Sequence, residues 1–348
     1  MTQSKARYEF IDLAKGFGIL FVAFFHIVGR PFPDSVNGTL ASFRMPLFFI
    51  LSGIFFSRYG GFKEFVIKRV NRLLIPFLFC WLVRAVVCVA FYFRTLIVDA
   101  SLSFDGAYLL DKLFDKTLGF FIPMWFPPCL FFCGIFFYLI VMLCDNFSKN
   151  RVIWLILFSI LVGTGGFILA DSGIDLPLWS GQALVSVPFY AFGYMLRKQT
   201  DFLQTSKYNK VYILLAVILF ALTFFAHVGA ELWLDGMKVA YFFSYYFCGI
   251  SGTMAVLLLS KKIKRIPVVS YYGRYSICIL MTHFLFVPVL FNTGILEYVE
   301  GLGINALLFR ICFFIVAMLS YMLIIPFMIK YMPHVCAQKD LIHLKTGS

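Results

Sequence analysis

Long apolar stretches follow one another along almost the whole chain, separated by short polar segments. A helix needs about 20 residues to cross the hydrocarbon core of a membrane. About ten stretches approach that length, near residues 9–28, 40–57, 73–98, 123–144, 152–170, 180–196, 211–228, 239–260, 268–291 and 304–329. The segments between them are short, except for 99–122 with its four aspartates (Asp99, Asp105, Asp111 and Asp115). The pattern predicts one all-α domain over residues 1–348, a polytopic transmembrane helix bundle of about ten spans.

Composition agrees with this pattern. Hydrophobic residues make up 61% of the chain and charged residues 14%, and the mean hydropathy is +0.90. A chain this apolar cannot hide its side chains in a single soluble core. The first apolar stretch contains Lys15 and lacks a small-residue cleavage site, so we expect it to persist as the first helix rather than as a signal peptide.

The basic residues indicate how the bundle is oriented. With the N-terminus in the cytoplasm, 20 Lys and Arg residues fall in cytoplasmic segments and 4 in outer ones. This bias predicts both termini inside and a multi-pass protein of the cytoplasmic (inner) membrane. The net charge of +13 then mainly reflects basic residues in cytoplasmic segments that face anionic lipid, and nucleic acid is not an expected partner. The nine cysteines show no metal-binding spacing, so no metal site is predicted.

Two ionisable residues lie inside the first predicted span. His26 follows Lys15 by eleven residues, almost three helical turns, so the two share a face and are separated by roughly 16 Å along the axis. Charged side chains are costly in hydrocarbon and therefore point into the protein. Asp12, three residues before Lys15, either neutralises this cation structurally or helps it to position a cytoplasmic ligand.

The segment 59–72 is predicted to be a short amphipathic helix on the cytoplasmic side. Its apolar residues share one face, and its basic residues lie elsewhere (Lys68, Arg69 and Arg72). Such a segment either anchors the protein at the membrane interface or binds an anionic ligand. The second alternative is considered because the N–H donors of a guanidinium group suit phosphate.

Three further polar residues lie well inside predicted spans. His283 is expected in the outer half of its helix, at a depth similar to that of His26, and it either hydrogen-bonds within the core or flanks a substrate. Arg84 and Arg310 must face the interior of the bundle, where they either pair with protein groups or bind substrate.

Several motifs occur in an order that resembles the integral-membrane acyltransferase-3 family. They are Asp12, Lys15, Gly16 and His26 in the first helix, then Phe43-Arg-Met-Pro-Leu-Phe-Phe-Ile-Leu-Ser-Gly53, Lys68-Arg-Val-Asn-Arg-Leu-Leu-Ile-Pro76, Trp125-Phe126 and Tyr272-Gly-Arg-Tyr-Ser-Ile-Cys-Ile-Leu-Met-Thr-His283. The resemblance is most specific over residues 7–77 and rests on hydropathy alone over about 145–265. Members acylate cell-surface and secreted carbohydrates.

The resemblance assigns a role to the first helix. The basic residue, ten intervening residues and histidine of the family motif fall on Lys15 and His26, and this histidine is regarded as essential for acyl transfer. A neutral histidine is also the usual general base for removing a hydroxyl proton. Arg44 departs from the family pattern, and it either favours an anionic acceptor or extends to the outer surface.

Together these observations predict a membrane O-acyltransferase with His26 as general base and with Lys15 and Asp12 as further candidate catalytic residues. The co-substrate is expected to be cytoplasmic acyl-CoA, most simply acetyl-CoA, held by Lys68, Arg69 and Arg72, with no permanently bound cofactor. The acceptor is expected to be a glycan or glycolipid hydroxyl of the cell envelope, and membrane lipid surrounds the protein. The candidate substrate-binding residues are Arg44, Arg84, Trp125, His283 and Arg310.

A secondary transporter or lipid-linked-sugar flippase is the alternative, because it would also have about ten spans and a few intramembrane charges. Transporters are often built from two related halves with broken helices at matching positions. The hydropathy of this chain shows no such internal symmetry, which favours the enzyme.

Overall fold

The computed structural model describes residues 8–98, 103–108, 122–147, 150–204, 210–228, 238–291 and 293–343. Among these residues the chain forms helices and turns and no β-strand. Most of the predicted outer segment 99–122, with Asp99, Asp111 and Asp115, lies outside the described residues.

The described residues form fifteen α-helices. They are α1 Glu9–Ile27, α2 Asp34–Arg44, α3 Pro46–Ile54, α4 Phe62–Arg69, α5 Ile75–Val98, α6 Phe126–Cys144, α7 Arg151–Asp171, α8 Ser180–Lys198, α9 Tyr212–Ala226, α10 Phe242–Ile263, α11 Pro267–Arg274, α12 Ser276–Thr282, α13 Phe286–Phe291, α14 Ile295–Gly301 and α15 Ala306–Tyr331.

Five helices in the described part of the chain are long and apolar enough to cross a membrane: Glu9–Ile27, Phe126–Cys144, Arg151–Asp171, Val239–Ile263 and Ala306–Tyr331. Pro267–Arg274 and Ser276–Phe291, which meet at a bend of 73°, make a sixth if they are counted as one broken span. The chain therefore has the helices of a multi-pass membrane protein. About ten spans and the orientation of the termini stay predictions.

The stretch 40–57 is not one continuous helix, as its hydropathy suggested. It contains the end of α2 and the nine-residue α3, with the break at Met45. Pro46 occupies the first turn of α3, where its missing N–H costs nothing, but inside a continuous helix it would remove a hydrogen bond and clash with the preceding turn. The break is therefore caused by Pro46, and a hydropathy pattern does not detect the effect of a single proline.

The segment 59–72 is helical, but it is not a separate surface helix. α4 passes through a π-helical turn, Val70–Leu74, directly into α5. Phe65 is fully buried against Tyr138 of α6, with ring centroids 4.8 Å apart, whereas Phe62 is 41% exposed. The predicted apolar face is thus only partly used, and it anchors the segment to the bundle.

Glycines allow two helix pairs to pack backbone against backbone. A Cβ on Gly273 of α11 would lie 1.7 Å from the carbonyl oxygen of Asp12, and one on Gly16 would lie 2.0 Å from that of Val269. Gly53 and Gly193 play the same part between α3 and α8. Small residues are the usual means of close helix approach in membranes, where lipid provides little hydrophobic drive for helix association. These contacts hold α1 and α3, which carry many of the candidate site residues.

We expect Gly273→Ala to destabilise the folded protein, because the added methyl group would meet backbone that cannot move aside. Overpacking of this kind costs roughly 1–3 kcal/mol. Thermal unfolding in detergent, followed with a thiol-reactive dye, is a suitable measurement because the free cysteines of the described chain are buried, apart from Cys312. Gly165→Ala is the matched control, since no atom lies within 4 Å of its added Cβ. Equal unfolding temperatures for the two variants would contradict the packing argument.

Candidate active site

A cavity of about 970 Å³ lies among α1, α3, α4, α6, α8 and α12. Among the described residues, seven basic ones line it and no aspartate or glutamate does: Lys15, Arg58, Lys68, Arg69, Arg72, Arg197 and Lys198. Most of them belong to the end of α8 and to the chain from the end of α3 through α4, which places positive charge from separate parts of the sequence around one space. Such a cavity is suited to a ligand with several negative charges.

Apolar side chains line the remainder of this cavity. They come from α1, α3, α6 and α12 and include Ile19, Phe48, Leu51, Phe126, Leu130 and Leu280. The cavity thus has both a cationic part and an apolar part. This combination fits a ligand with a charged head and a less polar arm.

Arg69 is held in place by aromatic residues behind it. Its guanidinium donates a hydrogen bond to the hydroxyl of Tyr190, a fully buried residue of α8. It also lies 5.2 Å from the ring centroid of Phe65 and 5.7 Å from that of Tyr190. Cation–π contacts and a hydrogen bond together restrict the side chain to one direction. Arg69 is therefore a preorganised cation of the cavity wall.

Other basic residues of the wall are also tied to protein groups. Arg197 donates a hydrogen bond to the carbonyl oxygen of Ile54, 3.0 Å away, which joins the ends of α8 and α3. Arg58 pairs with Asp145 at 2.6 Å, and this hydrogen bond raises the pKa of Arg58 above its ordinary value. Arg58 thus keeps its charge at any physiological pH.

Lys15 and Asp12 have different surroundings. Lys15 lines the cavity, and its ammonium nitrogen lies 5.6 Å from the ring centroid of Phe55. Asp12 is not part of the lining, and its backbone carbonyl packs against Gly273. The positions of these two residues relative to the cavity thus differ.

His26 and His283 form a second polar group, at the other end of α1. Their ring centroids are 5.2 Å apart. His283 is fully buried, and its Nδ1 lies 2.9 Å from the carbonyl oxygen of Ile279. A carbonyl can only accept, so Nδ1 carries the hydrogen and Nε2 of the neutral ring is an acceptor. Nε2 is buried and has no hydrogen-bond partner among the described residues.

The cavity stops short of the histidine pair, because neither His26 nor His283 lines it. Two lining residues lie on the same helical segments. Ile19 precedes His26 by seven residues, and Leu280 precedes His283 by three, or roughly 10 Å and 5 Å of helix rise. The apolar wall of the cavity therefore leads towards the histidines.

Arg44 lies beside the histidine pair. Its guanidinium carbon is 3.8 Å from the ring centroid of Phe25, and the guanidinium is close enough to His26 for their charges to interact. Arg30 contacts the same phenyl ring at 5.6 Å. Positive charge thus collects near His26 as well as in the cavity.

The other predicted substrate-binding residues are not gathered at one point. Trp125 packs edge-on against Phe126, a cavity residue, with centroids 5.9 Å apart. Arg310 lies over Phe291 at 5.2 Å, and its Nε is buried with no hydrogen-bond partner in the described chain. The side chain of Arg84 lies outside the described residues.

Sequence reasoning did not single out four residues of this site. Arg58, Arg197 and Lys198 were counted only as topology charges, and Tyr190 was not distinguished from other buried aromatic residues. The signal for the basic residues was available, because each lies at the end of an apolar stretch on the predicted cytoplasmic side. The role of Tyr190 depends on a contact across 121 residues of sequence, which no local pattern contains.

Comparison with known proteins agrees with this architecture. A family model described as an acyltransferase domain matches residues 8–325, which include α1 to α14, the basic cavity and both histidines. No curated protein and no solved structure matches the chain. The chain belongs to the integral-membrane acyltransferase-3 family and is a membrane acyltransferase.

Proposed function

We propose that this protein is an O-acyltransferase that moves an acyl group, most simply acetyl, from acyl-CoA to a hydroxyl of a cell-envelope or exported glycan. The observation that carries the proposal is the cavity, which the described part of the chain lines with seven basic residues and no acidic one, and whose apolar wall leads towards two histidines. The family supplies the reaction class.

The basic part of the cavity is proposed to bind the acyl donor. Coenzyme A carries several phosphate charges, and arginine forks bind phosphate through paired hydrogen bonds. Arg69 and Arg72 would meet these phosphates, with Lys68 beside them. The positive-inside rule supports a cytoplasmic position for this end, where acyl-CoA is available.

The thioester arm would then extend along the apolar wall towards His26. Lys15 supports this path, because it lines the cavity about 16 Å of helix rise before His26. Asp12 lies outside the lining, which favours the structural alternative for this carboxylate, neutralisation of the nearby cation. We therefore propose Lys15 as a donor contact and no chemical role for Asp12.

The chemical step would use His26 as general base. Its neutral ring takes the proton of the acceptor hydroxyl as the oxygen attacks the thioester carbonyl, and the new C–O bond forms as the C–S bond breaks. The thiolate leaves and takes the proton back from the imidazolium, which yields the ester and free coenzyme A thiol. No outside reactant is needed.

His283 is proposed to position the acceptor hydroxyl. Its Nδ1–H is committed to Ile279, so the ring is fixed and Nε2 is available as an acceptor in the neutral form. A buried acceptor without a partner is costly unless a ligand group satisfies it. A second hydroxyl of the acceptor sugar would do so, while the reacting hydroxyl donates its hydrogen bond to His26.

The proposal is tested by mass spectrometry of envelope glycans from cells with and without the protein. We expect the glycan from producing cells to be heavier by one acyl group, and the purified protein in detergent to release free coenzyme A thiol from acetyl-CoA when that glycan is added. Glycans of equal mass, with unmodified glycan accumulating on one side of the membrane, would overturn the enzyme and favour the flippase.

A further inference from the structure

The chain after α15 returns to the donor end of the bundle and contacts α4 and the π turn. We call residues 332–343 the C-terminal brace. Asp340 pairs with Lys68 at 2.7 Å. The side-chain oxygen of Asn71 accepts hydrogen bonds from the backbone N–H groups of Leu341 and Ile342, each at 2.8 Å, and its amide nitrogen donates to the carbonyl of Ile342 at 2.8 Å. Segments 270 residues apart are thereby joined.

Asn71 lies inside the π turn Val70–Leu74, between Arg69 and Arg72 of the cavity wall. A π turn departs from regular α-helical hydrogen bonding and needs support from its surroundings. Asn71 is 1% exposed, and the brace satisfies both ends of its amide. Losing these bonds would leave a buried amide partly unsatisfied, so the brace stabilises this turn rather than an α-helical alternative.

A second contact fixes the other end of the brace. Cys336 is fully buried, and its thiol lies close enough to interact with that of Cys278 on α12, which lies between the cavity residues Ile277 and Leu280. The brace is therefore attached on two sides of the cavity. It also lies wholly beyond residues 8–325, the part of the chain that matches the family.

We propose that the C-terminal brace positions the donor site: its bonds to Asn71 hold the π turn, and the turn sets the directions of Arg69 and Arg72 in the cavity. Asn71 is thus a positioning residue, and the inference rests on the proposed donor role of those arginines.

Asp340 supports the same arrangement. Its hydrogen bond with Lys68 lowers the pKa of this carboxyl below its ordinary value, so the ion pair persists at neutral pH and would weaken only in acid. The three bonds to Asn71 involve neutral groups and do not compete with an anionic ligand. They are therefore the contacts to remove in a test.

The test uses the full chain with Leu341→Pro and Ile342→Pro together. Proline has no N–H, so both donors to Asn71 disappear while the charge of the cavity stays the same. The matched control is Leu341→Ala with Ile342→Ala, which keeps both N–H groups. The side chains of these residues are 56% and 44% exposed, so their loss alone should change little.

We expect the proline variant to raise the KM for acetyl-CoA about tenfold, as loss of buried hydrogen bonds would, with kcat and the KM for the acceptor unchanged. We also expect faster amide hydrogen exchange in residues 67–75 and unchanged exchange in α7. The alanine variant should match the wild type in all of these.

Two results would overturn the inference. Unchanged exchange in residues 67–75 would show that the brace does not hold the turn, and a KM equal to or lower than that of the wild type would show that it does not assist donor binding. If the wild-type protein bound no coenzyme A, the proposed function would fail, while the exchange measurement would still decide whether the brace holds the turn.

Discussion

Replacing His26 by alanine is expected to abolish measurable acyl transfer while the protein stays folded in the membrane. A positioned general base contributes roughly 10²- to 10⁴-fold to rate, so the loss should appear in kcat at saturating acetyl-CoA. His26 is half-buried beside His283 and does not line the donor cavity, and the KM for acetyl-CoA should therefore change little. The measurement is release of coenzyme A thiol by purified variant in detergent, with acceptor present.

His227→Ala is the matched control for this result. His227 is also half-buried at the end of an apolar helix, α9, where its Nδ1 contacts the carbonyl oxygen of Phe224, but it lies outside the proposed site. It should retain wild-type kcat. If the His26→Ala protein acylated the glycan at the wild-type rate, the proposed mechanism would be wrong. Complete loss of activity in both variants would indicate damage to the fold.

Neutralising Arg69 and Arg72 together is expected to weaken the donor side of the reaction. Both guanidinium groups line the cavity, and hydrogen bonds between charged groups are stronger than neutral ones, so the KM for acetyl-CoA should rise roughly a hundredfold for Arg69→Met with Arg72→Met. The KM for the acceptor should stay near the wild-type value. Initial rates at varied acetyl-CoA and fixed acceptor give both constants.

A control with the same loss of charge separates specific contacts from general electrostatics. Lys262→Met with Arg265→Met removes two cations at the end of α10 and just beyond it, and neither residue lines the cavity. Its KM for acetyl-CoA should match that of the wild type. If the variant of Arg69 and Arg72 also left the KM for acetyl-CoA unchanged, segment 59–72 would instead be interpreted as an anchor at the membrane surface.

Part of the site could be predicted because its signals are local. Lys15 and His26 are related by helical periodicity within one apolar stretch, and Lys68, Arg69 and Arg72 stand together in one short basic segment. Their chemistry is readable from residue type and spacing alone. The family resemblance, carried by the same segments, is confirmed over residues 8–325.

Other features depend on contacts between distant segments and could not be predicted. Arg197 and Lys198 join the cavity because α8 packs on α3 through Gly53 and Gly193. His283 meets His26 because α11 and α12 follow α1 closely through Gly16 and Gly273. The sequence does not show which helix will pack against a glycine in an apolar stretch, so the packing partner of each helix could not be predicted.

The sequence by itself determined the class of protein, the family and the candidate residues for the reaction, because hydropathy, charge bias and motif spacing are properties of neighbouring residues. Only the tertiary structure decided how these groups are arranged. It put seven cations around one cavity, placed the histidine pair beyond the cavity's apolar wall, and tied the C-terminal brace to Asn71. The physical reason is that buried polar groups need partners, and in a helix bundle those partners come from segments that lie far apart in the chain.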